Sequence, residues 1–103
     1  MDPIRSIYED DPDMLEIVRE FAEELPGRAD SVEQLLSGGE EDELQRLAHQ
    51  LKGAGGGYGF AAITDVAASL EQALKEGVAA EILEERAAAL CETLRAVEAP
   101  KEA

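Results

Sequence analysis

At 103 residues the chain is long enough for one domain and too short for a second domain with its own cleft. With no tryptophan, two tyrosines and two phenylalanines, its core volume must come from aliphatic residues and alanine, which favours closely packed helices over a sheet. Twenty-four acidic residues against nine basic ones give a net charge of −15, which argues against nucleic acid or an anionic membrane surface as partner and reads as a well-solvated helical exterior.

Asp2-Pro3 and Asp11-Pro12 each read as a helix cap followed by proline in the first turn. The first pair predicts a short extra N-terminal helix over 3–9, and the second a long helix over 12–37. The apolar positions Met14, Val18, Phe21, Leu25, Val32 and Leu35 follow a helical period. Pro26 removes a backbone donor and disfavours helix at Leu25, so a kink near residue 26 is expected, the pattern resuming in phase beyond it. Gly38-Gly39 closes this helix. The acidic run Glu40 to Glu43 suits the positive end of the next, over 40–58, striped by Leu44, Leu47, Ala48, Leu51 and Tyr58. A third long helix over 61–76 turns Ile63, Val66, Ala67, Leu70 and Leu74 inward and stops at Gly77. The last, over 78–99, carries Leu83, Ala87, Leu90, Leu94 and Val97 and ends before Pro100. No strand-like alternation, repeat or linker interrupts the series. The expected fold is all-α: one up-down four-helix bundle with a short extra helix in front.

Cys91, the single cysteine, falls inside the last helical pattern and reads as a small buried hydrophobe. With no intramolecular disulfide possible, no basic and apolar leader pattern at the start and no apolar run of membrane-spanning length, a cytoplasmic location is expected.

The single histidine is where chemistry can reside. On a wheel of 100° per residue the apolar stripe is centred between Leu47 and Leu51, and His49 falls roughly 160° away, on the solvent side. Lys52 shares that outer face, as do Gly53 and Gly56. Gly53, Gly55, Gly56, Gly57 and Gly59 crowd into seven residues, although each glycine inside a helix costs about 1 kcal/mol relative to alanine. A turn would explain them. So would access, since positions without side chains let another protein's backbone approach the imidazole. The stripe through Leu51, Ala54 and Tyr58 favours a helix that turns only at Gly59, and therefore access.

Leu47-Ala48-His49-Gln50-Leu51-Lys52-Gly53, followed by small residues to Gly59-Phe60, resembles the signature of histidine-containing phosphotransfer (HPt) domains: Ala-His-x-Leu-Lys-Gly, a small-residue run, then glycine. Glu24-Leu25-Pro26 before it and Ser69-Leu70-Glu71 after it are also similar to that family. The resemblance implies a phosphorelay protein of two-component signalling, shuttling a phosphoryl group between aspartates of receiver domains in a hybrid histidine kinase and in a response regulator. It implies His49 as the phosphoacceptor through Nε2, Lys52 as the cation screening the phosphoryl charge, and Gly53 as space for the receiver. The family's Gln or Glu stands 22 positions beyond the histidine, here Glu71; Gln72 faces another direction. A Glu71 carboxylate taking the Nδ1 proton in a hydrogen bond would leave Nε2 bare for attack. Gln45, Gln50, Gly56 and Phe60 are candidates for partner recognition around His49. The chain is then a phosphocarrier with no kinase activity, no metal and no cofactor of its own, the Mg²⁺ sitting on the receiver, and a monomer is expected.

Three rivals are weaker. A histidine-kinase dimerisation domain places an acidic residue directly after its histidine and a proline five on, where this chain has Gln50 and Ala54. A metal-binding bundle needs Glu-x-x-His pairs on two helices, and Arg46 stands where the glutamate should be. A docking module that binds a receiver without phosphotransfer is the remaining alternative, opposed by the joint presence of His49, Lys52 and Gly53.

Overall fold

The computed structural model describes residues 2–101. Four helices follow one another: α1 (Leu15–Ser37), α2 (Glu41–Gly57), α3 (Ala61–Glu76) and α4 (Ala80–Ala96). The connections 38–40, 58–60 and 77–79 are too short for anything but antiparallel neighbours. Packing runs α1 on α2, α2 on α3, α3 on α4 and α4 back on α1, which closes an up-down bundle 45 Å long and 22 by 18 Å across.

Most of each expected stripe is buried, while Met14, Tyr58 and Val97 fall just outside the helices and, with Phe21, Leu35 and Val66, are only partly covered. Val18, Leu25, Ala29 and Val32 of α1 share one core with Leu44, Leu47, Ala48 and Leu51 of α2. Ile63, Ala67, Leu70 and Leu74 of α3, with Leu83, Leu90 and Leu94 of α4, complete the core. Cys91 lies inside it, its thiol against the Ala29 carbonyl. Burial pushes that thiol's pKa up.

Pro26 does not divide α1, which is unbroken from Leu15 to Ser37. The proline stands on the exposed side between buried Leu25 and Ala29, so the cost is confined to the donor that the Ala22 carbonyl lacks. The α1 start moves inward. Asp11 Oδ1 accepts from the Asp13 amide at 2.9 Å, and the Asp11 carbonyl accepts from Met14 and Leu15. Asp11 thus caps a turn that leads into the helix.

The expected helix over 3–9 does not form. Ile4 pairs instead with Val97 in an isolated parallel bridge, its amide donating to the Ala96 carbonyl at 2.9 Å and its carbonyl accepting from Glu98 at 2.8 Å. Ser6 Oγ donates to the Tyr58 carbonyl at 2.6 Å, and the Ile7 amide to the Gly59 carbonyl at 3.1 Å. A helix this short gains too few internal bonds to offset its nucleation. An extended strap across the bundle's end satisfies the same groups and ties the end of α4 to the α2–α3 connection. For the same reason α4 stops at Ala96, short of the expected 99: Val97 is extended to meet Ile4.

Candidate functional site

The site is built across the seam between α2 and α3. Leu44, Leu47, Ala48, Leu51 and Gly55 face inward, which leaves His49 on the outer side with its side chain 65% exposed. On α3, Glu71 follows buried Leu70 and lies at the edge of the stripe, its side chain 6% exposed. The carboxylate is buried in the seam, and the exposed ring meets it there.

Three donors converge on Glu71. His49 Nδ1 stands 2.8 Å from Oε2, Lys52 Nζ 2.6 Å from Oε1, and Lys75 Nζ 3.5 Å from Oε2. A buried carboxylate without partners would be costly. Here the hydrogen bond from Lys52 outweighs burial, and with the bond from His49 and the charges of Lys52 and Lys75 it holds Glu71 at about 2, below the ordinary 4.5. An ionised carboxylate only accepts hydrogen bonds. Whenever the ring is neutral, its proton must therefore sit on Nδ1, donated to Glu71, and Nε2 carries a free lone pair. Among the described residues, the ring's hydrogen bond runs through Nδ1 alone.

The glycine run divides by position. A Cβ on Gly55 would lie 2.9 Å from Ile63 Cβ and 3.0 Å from the Thr64 amide nitrogen, so this glycine sets how closely α2 and α3 approach. Gly59 turns the chain at φ +84°, and a Cβ there would strike the Ser6 hydroxyl at 2.6 Å. Gly53 and Gly57 have nothing within 4 Å of such a Cβ, and Gly56 meets only Thr64 Oγ1 at 3.5 Å. The helix thus runs on to Gly57 with an open, bare flank beyond His49.

Gln45 lines the groove that holds His49, Glu71 and Lys75, together with Asp42 and Arg46. Gln50 is exposed on the other flank of α2, in a second depression with Leu35 and Leu47. Phe60 is not on this surface. It is 1% exposed, in the core, with its ring centroid 6.0 Å from that of Phe21, which stacks on Tyr58 at 4.4 Å. Its amide donates to the Gly55 carbonyl at 2.7 Å, so the reversal at Gly59 swings the ring inward. Gln72 bonds Glu76, away from the site.

Two participants escape the motif. Thr64 Oγ1 donates to the Lys52 carbonyl at 2.8 Å, which fastens α3 to α2 directly under Lys52. Lys75 shares Glu71 from one turn further along α3, and the spacing of an acid four residues before a lysine is the sequence signal for it. Among the described residues no cluster of three or more His, Cys, Asp or Glu side chains forms a metal site, and no helix is long and apolar enough to cross a membrane.

In comparisons with known proteins, the family model described as Hpt domain matches residues 16–100. No curated protein and no solved structure matches the chain.

Proposed function

The chain belongs to the Hpt domain family, and on that footing we propose that His49 is its phosphoacceptor, passing a phosphoryl group between receiver domains of a hybrid histidine kinase and of a response regulator. Members of the family are phosphocarriers of phosphorelay signalling that engage receiver domains, and are not kinases. The observation that carries the proposal is the 2.8 Å contact between His49 Nδ1 and the buried carboxylate of Glu71. In the neutral ring that contact places the proton on Nδ1 and leaves Nε2 with a free lone pair on an exposed side chain, which is what a nucleophile at phosphorus needs.

In the forward step the Nε2 lone pair attacks the phosphorus of a receiver's aspartyl phosphate. The Nε2–P bond forms as the acyl phosphate P–O bond breaks, and the aspartate leaves as a carboxylate. The ring keeps its Nδ1 proton and gains positive charge, which the Glu71 carboxylate offsets across the hydrogen bond. Lys52 screens the arriving oxygens. The step reverses onto the aspartate of the next receiver. Phosphoryl transfer asks mainly for positioning and charge stabilisation, so one histidine, one lysine and one carboxylate suffice on this side, with no cofactor, and the Mg²⁺ belongs to the receiver. Bare Gly53 and Gly56 give the receiver backbone room, with Gln45 and Gln50 flanking its approach. A monomeric, cytoplasmic carrier fits this use: the exposed large hydrophobics among the described residues are Ile7 before α1, Ile17 on α1 and Ile82 on α4, one to each segment.

Incubation with phosphorylated receivers is the test. The chain should take up acid-labile, alkali-stable label, and His49→Gln should fold and take up none. Continued labelling of the variant would remove His49 from the role. A folded wild type that binds receivers without labelling would be a docking module.

A further inference from the structure

Glu71 has one more cation than the resting site requires. Lys52 already holds Oε1 at 2.6 Å, and His49 holds Oε2 at 2.8 Å. Lys75 stands further off, 3.5 Å from Oε2, with half of its side chain in solvent. We propose that Lys75 is a relief cation: it takes over the Glu71 carboxylate when Lys52 turns to the phosphoryl group on His49.

The argument is one of competing acceptors. Lys52 stands three residues after His49 on the same outer face of α2, and a phosphoryl group on Nε2 puts oxygens of roughly two negative charges within its reach. An ammonium has three donors, but as a compact point charge it is drawn to the larger negative charge. To the extent that Lys52 moves, Glu71 loses its shortest contact while remaining 6% exposed. A buried carboxylate stripped of its partner would oppose that movement. Lys75 removes the opposition. It approaches along α3, is not tied to α2, and needs to close only the gap from 3.5 Å to hydrogen-bonding distance. Glu71 then stays ionised and keeps its grip on the Nδ1 proton throughout the phosphorylated state.

The inference rests on His49 being the phosphoacceptor, and the experiment separates the two. Wild type, Lys75→Gln, Lys75→Ala and Lys75→Arg are loaded with phosphoramidate, and the lifetime of the phosphohistidine is followed at neutral pH. Nitrogen NMR of the His49 ring is recorded before loading. Before loading, all four should show the Nδ1–H tautomer, since Lys52 is in place. After loading, Lys75→Gln and Lys75→Ala should shorten the lifetime by about two- to fivefold, the range a partly exposed ion pair sustains, and Lys75→Arg should restore it. Equal lifetimes in all four proteins would overturn the role of Lys75 and leave that of His49 standing. A tautomer already lost in the unloaded Gln and Ala variants would also overturn it, making Lys75 a standing support. A wild type carrying no phosphoryl group on His49 would sink the phosphoacceptor reading and this inference together.

Discussion

Gly55 and Ile63 touch so closely that a methyl group on the glycine would sit 2.9 Å from the isoleucine Cβ. The contact draws α2 and α3 near enough for Glu71 to reach His49. Gly55→Ala therefore sets two effects against each other. Alanine favours the helix by about 1 kcal/mol, while overpacking costs about 1–3 kcal/mol. The expected outcome is a net loss of stability by urea unfolding, with a weakened His49–Glu71 hydrogen bond visible in the ring NMR of the folded variant.

Gly53 gives the opposite result, because nothing lies within 4 Å of its missing Cβ. Gly53→Ala should stabilise the chain by up to about 1 kcal/mol. Gly53→Leu should fold equally well and slow transfer from a receiver, with little effect on loading by a small phosphodonor. Equal slowing with both donors would show that the leucine disturbs the histidine and does not block a partner.

Glu71 supplies a pH signature. Its pKa is lowered in the folded chain, so its contribution to stability is fully present above the ordinary 4.5 and is lost as pH falls through that value toward about 2. The stability difference between wild type and Glu71→Gln should therefore be constant near neutrality and shrink steadily below pH 4.5. A difference independent of pH down to 2 would contradict the ionised, triply held carboxylate. In transfer assays glutamine should retain much of the activity, since its carbonyl also accepts from Nδ1, and alanine should lose more.

Lys52→Ala removes the shortest contact of a buried carboxylate and a cation one helical turn from the acceptor on α2. Charge-assisted bonds of this kind contribute about 1.5–3 kcal/mol, so transfer should slow by roughly tenfold or more and the phosphohistidine should decay faster. Stopped-flow transfer with a receiver and decay of the isolated phosphoprotein measure the two effects separately.

The helices were legible because each buries one face, and that requirement writes a period into the residues; α3 fell where its pattern placed it, from Ala61 to Glu76. The N-terminal strap was not. The Ile4–Val97 pairing joins backbone groups from opposite ends of the chain, and neither end carries a local trace of the other. Phe60 was misplaced because an aromatic just past a reversing glycine has no helical face to be read from; its direction depends on the φ of Gly59 and on Phe21 across the bundle. His49 showed itself by lying opposite its own stripe. Glu71 came from family spacing, since an acid in so acidic a chain stands out only once burial is known. Gly55 and Gly53 look alike in sequence, and only the neighbouring helix tells the packed one from the bare one.

Because the Ile4 amide reaches the Ala96 carbonyl at 2.9 Å, the segments flanking the four helices meet in a seam at one pole of the bundle. A short linker across that seam, with new ends cut at exposed Gly38-Gly39 by the opposite pole, would give a circular permutant of the same four helices. His49, Lys52, Glu71 and Lys75 all lie within the unbroken α2–α3 hairpin, so the rearranged chain inherits the whole site. The order in which the helices are synthesised is thereby separable from the surface they present.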